Sequence, residues 1–177
     1  MRAYTPGGRF DTDFESDQIS DGITEDLANP AGTSAEWWKF DPTSSVKHPV
    51  YDVEPLGAGR VWIGPSNLRI VRASITEGSN PINDRGFYNV DSLHLTVNID
   101  DLYRVRPELF YEKGHISPSI DNANRDRVVW KGEVFRPVKT QPAGLVANRH
   151  TLAVIELIQL SPDELVNDAQ FLQYAQP

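Results

Sequence analysis

The stretch "RHTLAVIELIQL", Arg149–Leu160, constrains the fold more than any other. Read as a strand, it turns Leu152, Val154 and Ile158 one way and Ala153, Ile155 and Leu157 the other. A strand apolar on both faces needs cover on both, which a lone small barrel with one wet face does not give. Other segments supply the strands around it. "SLHLTVNID" alternates, with Leu93, Leu95, Val97 and Ile99 inward and His94, Thr96 and Asn98 outward. "GRVWIGP", Gly59–Pro65, is a short apolar run bracketed by Gly and Pro and reads as a buried strand. "NLRIVRASIT", Asn67–Thr76, changes its apolar face near Arg72, which predicts a bulge or a strand covered on both sides. In "DRVVWKGEVFRPVKT", Val128 and Trp130 share a face, Gly132 makes a turn, and Val134 begins the return strand.

The stretch "SAEWWKFDP", Ser34–Pro42, poses a sharper question. Neighbouring side chains of an extended segment leave opposite faces, so Trp37 and Trp38 do not enter one core together. The second ring goes to another buried layer, to a ligand platform, or to a surface that another protein covers. Exposed Trp37, Trp38, Tyr51 and Tyr88 on an all-β frame would suit a carbohydrate-binding module. The same aromatic anchors are favoured at protein interfaces. The doubly apolar strand Leu152–Leu160 tips the balance, because a sugar platform does not require it.

Three regions follow along the chain. Residues 1–35 form an acidic N-terminal arm, with Ile19, Ile23 and Leu27 at helical spacing across residues 18–28 and Gly22 weakening that helix. Residues 36–160 form a β domain of about six strands with two long polar loops, Glu77–Asn89 and Pro107–Asn124. Residues 161–177 form a C-terminal helix and tail. Ser161 is its N-cap, Pro162 its first helical residue, and Glu164 completes a capping box; Leu165, Ala169 and Leu172 form the apolar stripe. Thirteen prolines and twelve glycines against one methionine suit a loop-rich β protein. The expected fold is mainly β, a small β-barrel or sandwich with long insertions, an extended arm and a short C-terminal helix.

The residues that usually carry chemistry are scattered. There is no cysteine, which excludes disulfides and thiolate metal sites, and His48, His94, His115 and His150 lie far apart without paired spacing. The acidic run Asp11–Gly22 fails as a calcium loop: its sixth position is Ser16 and its twelfth Gly22. Asp100 and Asp101 sit at a strand end, where Asp is common turn chemistry. No catalytic or cofactor-binding set emerges, and the expectation is a non-enzyme without cofactor or metal. The net charge is −8, and much of it is local: Asp11, Asp13, Glu15, Asp17, Asp21, Glu25 and Asp26 stand against only Arg2 and Arg9 in the first 26 residues. Such a chain gains little from counterion release on a phosphate backbone, so passing contact with dsDNA is expected rather than tight binding. No apolar run approaches the roughly 18–20 residues that cross a bilayer. The first residues lack the apolar centre of a signal peptide, so a soluble chain that is not exported is expected.

The hairpin Asp126–Thr140, the loop "QPAGLVANR" and the strand "HTLAVIELIQL" resemble the closing β-hairpin of small head–tail joining proteins of long-tailed phages. More widely, "AEWWKFDPTSSVKHPVYDV", "NDRGFYNVDSLHLTVNID" and "SPDELVNDAQFLQYA" look like the head-to-tail stopper, or head-closure, proteins of actinobacterial siphophages, over residues 36–175. The resemblance implies a virion protein at the head–tail junction, assembled in the host cytoplasm. It implies a ring, dodecameric at this level of the neck, with the adaptor or portal above and a tail terminator or the tail tube below. Trp37, Trp38, Phe40, Ile155 and Leu157 are the expected subunit interface. Asp84, Arg85, Phe87, Tyr88, Phe110, Tyr111 and His115 are the expected channel or docking residues in the long loops. Arg85, Arg104 and Arg106 are candidates for an acidic partner surface or for passing DNA. A hexameric tail terminator is the alternative within the phage reading, and the arm has no counterpart in the family.

Overall fold

The computed structural model describes residues 12–28, 32–45, 59–76, 91–112, 115–116, 123–146, 149–165 and 168–174. Seven strands make one antiparallel sheet: β1 (Ser34–Phe40), β2 (Trp62–Arg69), β3 (Arg72–Thr76), β4 (Ser92–Asn98), β7 (Arg127–Trp130), β8 (Glu133–Val146) and β9 (Arg149–Gln159). Their order is β2-β1-β7-β8-β9-β4-β3. A separate ribbon pairs β5 (Phe110–Glu112) with β6 (His115–Ile116), so ordered structure occupies part of a segment expected to be a loop.

The mainly β expectation holds, but the sheet is not closed into a barrel. Its edge strands, β2 and β3, are consecutive in the chain. Ile70 and Val71 carry the backbone from one edge to the other: the Ile70 N–H donates to Thr33 O (3.0 Å) and the Val71 N–H to Thr96 O (2.9 Å). The change of apolar face expected near Arg72 is therefore a corner, where one ladder ends and the opposite one begins.

The sheet curls around its larger core. Ala35, Trp37, Leu68, Leu93, Leu95, Val97, Val128, Phe135, Ala153, Ile155 and Leu157 fill the inner face. The short helix α2 (Ile99–Val105) adds Ile99 and Leu102 to this core. Asn98 caps α2 by accepting from the Asp100 N–H (2.9 Å), and Asp100 and Asp101 lie in its first turn, where carboxylates suit the positive helix end. These two acids thus begin a helix rather than a turn.

Two local devices set the register. Lys131 (φ 52°) and Gly132 (φ 83°) form a two-residue turn with both φ values positive, which matches strand twist and pins Val128 opposite Phe135. In β2 the pairing shifts between Ser66, opposite Trp37, and Ile63, opposite Lys39, so β2 carries one extra residue at Gly64–Pro65. The bulge reverses β2: Leu68 joins the inner core while Trp62 joins an outer cluster with Phe40. Gly64 (φ 147°) is the residue that permits it, because a Cβ there would lie 2.9 Å from the Trp37 carbonyl oxygen.

The N-terminal segment is helical from Thr12 to Gly22 (α1) and continues as a π-helical turn over Ile23–Ala28. The C-terminal segment is one α-turn, α3 (Pro162–Leu165), followed by a 3-10 segment, Ala169–Tyr174. Ser161 caps α3 as expected, its Oγ accepting from the Glu164 N–H at 3.4 Å. The stripe continues differently from expectation: Leu165 and Phe171 are buried, whereas Leu172 is 46% exposed and Ala169 is exposed.

Candidate assembly surface

Trp37 and Trp38 take opposite sides of β1. Trp37 enters the inner core at 1% exposure, and its Nε1 donates to Asp126 Oδ2 at 2.8 Å. Asp126 also accepts from the Phe40 N–H (2.9 Å) and pairs with Arg106 Nε (2.8 Å), which locks β1 to the residues before β7. Burial pushes the Asp126 carboxyl above its ordinary range, and these donors and the guanidinium pull it back.

Trp38 answers the question posed by the doublet: a second buried layer receives it. Its ring meets Phe171 edge-on at 5.4 Å, Phe171 meets Trp62 at 5.2 Å, and Trp62 meets Phe40 at 5.9 Å. Val129, Val134, Leu160 and Leu165 complete this outer cluster, which the C-terminal segment covers. The sugar platform loses both tryptophans, and Tyr51 and Tyr88 lie outside the described residues.

Polar contacts clamp that cover in place. Gln170 imitates a strand residue at Trp62, its Oε1 accepting from the backbone N–H (2.7 Å) and its Nε2 donating to the carbonyl (3.2 Å). Asp168 is buried between two arginines, bound by Arg127 Nε (2.9 Å) and Nη2 (2.8 Å) and by Arg60 Nη1 (3.2 Å). Arg127 also lies over the Trp62 ring at 5.1 Å. Its burial lowers the guanidinium from its usual range, and Asp168 opposes that shift.

At the other end of β9, α1 covers the sheet with polar rather than apolar groups. Ser20 Oγ donates to Asn98 Oδ1 (3.0 Å), and Asn98 Nδ2 donates to Ser20 O (2.7 Å) and Thr24 Oγ1 (2.6 Å). Asn98, expected to face outward into water, is buried by this contact. Arg149 bridges the arm to α2, reaching Asp17 and both Asp100 oxygens (2.8 and 3.0 Å).

Between these two covers, the outward side of β9 carries Leu152, Val154 and Ile158, each partly exposed. Thr96 lies beside Val154 on β4, and Lys139 on β8 stands opposite Glu156. This row is apolar and partly open to solvent. It corrects the interface assigned to Ile155 and Leu157, which are 0% exposed in the inner core. The even-numbered residues of the strand hold the open position, and the odd ones are inside. Trp37, Trp38 and Phe40 are also taken up within the chain.

The expected loop residues divide. Asp84, Arg85, Phe87 and Tyr88 lie outside the described residues. Phe110 is buried, with its ring 5.2 Å from that of Tyr103, whereas Tyr111 is 87% exposed; the backbone of His115 pairs with Glu112 in the small ribbon. Arg106 is buried against Asp126, and Arg104 pairs with Asp101 at 3.2 Å, so both have carboxylate partners within the chain. Sequence reasoning missed the gathering of Arg60, Arg125, Arg127 and Arg136 around one cavity. The signal was available: a two-residue turn at Lys131–Gly132 places Arg127 across from Arg136, one step beyond the Val128–Phe135 pair.

Among the described residues no group of three or more side chains has the makeup of a metal site, and no helix is long and apolar enough to cross a membrane. No protein-family profile matches the chain, and no curated protein matches it. Among solved structures, it is similar to a chain from the virion of a native gene transfer agent particle, with a TM-score of 0.38 and 11% identity, over 72% of this chain and 93% of that one. A likeness of that degree is too slight to carry a function from one chain to the other.

Proposed function

We propose that this chain is a structural protein of the phage neck, a head-to-tail stopper. Copies form a ring between the portal or adaptor and the tail, close the DNA channel and dock the tail. The observation that carries this reading is the outward row Leu152, Val154 and Ile158, partly exposed and outside the cluster that the C-terminal segment covers. Each subunit of a ring meets two neighbours through different patches, and an apolar sheet face supplies one of them. Partial burial of aliphatic side chains beside a rim of charge, here Lys139, Glu156 and Arg136, is the composition of an interface core and its edge. The resemblance of residues 36–175 to stopper proteins supplies the identity of the ring, and the role is one of assembly rather than catalysis.

Immunogold labelling of intact and disrupted particles tests the location, with gold expected at the head–tail junction. Label elsewhere, or none on disrupted particles, overturns the reading. The Val154→Glu/Ile158→Glu double variant should keep the circular dichroism of the folded monomer and lose incorporation into necks. Incorporation at wild-type level would remove β9 from the interface. Copy number in the particle separates a dodecameric stopper from a hexameric terminator.

A further inference from the structure

Two clefts of opposite charge lie toward opposite ends of β9. One, with a volume of about 240 Å³, is lined by Arg60, Arg125, Arg127 and Arg136 against the rings of Phe40 and Trp62, and no acid is among its lining residues. Asp168, packed behind it, is one carboxylate shared between Arg60 and Arg127. The other, about 580 Å³, is lined by Asp17, Asp21 and Asp100 with Arg104 as its cation. Arg136 pairs with Ile158 near the C-terminal end of β9, and Arg149, which holds Asp17, begins the same strand. Nine residues of extended chain put these poles roughly 30 Å apart.

The acidic pole extends beyond its cleft along the exposed side of α1. Asp17, Asp21 and Glu25 follow one another at four-residue spacing, and Asp17, Asp21, Glu25 and Asp26 are exposed. Like charges so spaced work against the helix that carries them. The chain therefore keeps an acidic ridge at one end and an arginine-lined recess at the other, too far apart to meet within one copy. A second copy set head to tail, related by the rotation of a ring, brings them together.

We propose that the exposed acids of α1 and its π-helical turn, Asp21, Glu25 and Asp26, dock into the arginine recess of the next copy, head to tail. This deepens the ring reading and rests on it. Carboxylates suit the recess, since Asp168 already shows two of its guanidiniums gripping one. A nucleic-acid phosphate is disfavoured by the net charge of −8, which repels a polyanion as a whole. The contact is heterologous, because ridge and recess are different surfaces.

Sedimentation of the full chain at low and high ionic strength is the test, together with two reversal variants. Arg136→Glu removes the recess and keeps the ridge; Asp21→Lys/Glu25→Lys does the opposite. These residues are all exposed, and near-UV circular dichroism confirms that each variant is folded. Wild-type protein should associate at low salt and dissociate as salt rises, and each reversal should weaken self-association by at least about tenfold. A mixture of the two variants should regain association, because it pairs an intact ridge with an intact recess. The inference is overturned by wild-type protein that stays monomeric to its solubility limit at low salt, by association that strengthens with salt, or by variants that associate as wild type does. If particles carry the chain at the junction while the reversals incorporate normally, this contact fails and the neck reading survives; absence from the junction removes the neck reading itself.

Discussion

Trp37 and Trp38 are neighbours in sequence and lie across the thickness of the sheet from each other. Their surroundings differ in one chemical respect: the Trp37 indole N–H serves the buried Asp126, whereas Trp38 Nε1 is buried with no hydrogen-bond partner among the described residues. Trp37→Phe strips a donor from a buried carboxylate and should cost about 2–3 kcal/mol. Trp38→Phe keeps a ring against Phe171 and deletes an unserved donor, so it should change stability by less than about 1 kcal/mol. Urea midpoints of the two variants check this, and equal losses would refute the difference in environment. The doublet's division between faces follows from strand periodicity alone. Which tryptophan meets a carboxylate was not legible, because Asp126 lies 89 positions away and only the β1–β7 pairing brings it near.

At the scale of elements, the C-terminal segment shows both what local chemistry announces and what it hides. Ser161, Pro162 and Glu164 mark the start of α3 in any sequence. The continuation was misread because a 3.6-residue period was applied to a 3.0-residue turn. Leu165, Asp168, Phe171 and Tyr174 recur at intervals of three, as side chains of a 3-10 helix eclipse, and these are the residues that face the sheet. Asp168 was passed over because it sits where that period is polar, and its value comes from Arg127 and Arg60, far away in the chain. Asp168→Asn should leave the buried Arg127 uncompensated beside Arg60 and Arg136 and cost roughly 3 kcal/mol or more. The cover should then loosen, seen as a red shift of tryptophan emission from Trp38 and Trp62 and faster proteolysis within residues 161–174. Unchanged emission and proteolysis would mean that apolar packing alone holds the segment.

For the molecule as a whole, alternation made the strands readable, while their order across the sheet was not. β1 and β7 pair although Trp38 and Arg127 stand 89 positions apart, and no local pattern encodes that. The arm likewise read as acidic with a helix over residues 18–28, but its α-helix runs from Thr12 to Gly22, and its serines and Asp17 dock on Asn98 and Arg149. Deleting residues 1–28 should leave the sheet folded but uncover Asn98 and deprive Arg149 of one of its two acids. A loss of about 1–3 kcal/mol is expected, measured by thermal unfolding. A loss within error would mean that the arm's contacts exchange freely with water.

The corner at Ile70–Val71 has a consequence for synthesis. Because the chain passes directly from one edge of the sheet to the other, β1–β2 and β3–β4 leave the ribosome first as two pairs that belong at opposite margins. The Arg69–Asp101 pair links them near the corner, and β7, β8 and β9 then fill the middle of the sheet. The nascent chain thus holds two outer ribbons before the central strands exist, and the sheet's core condenses only once the β8–β9 hairpin has emerged. The strands that seal the sheet are made after the ones that form its edges.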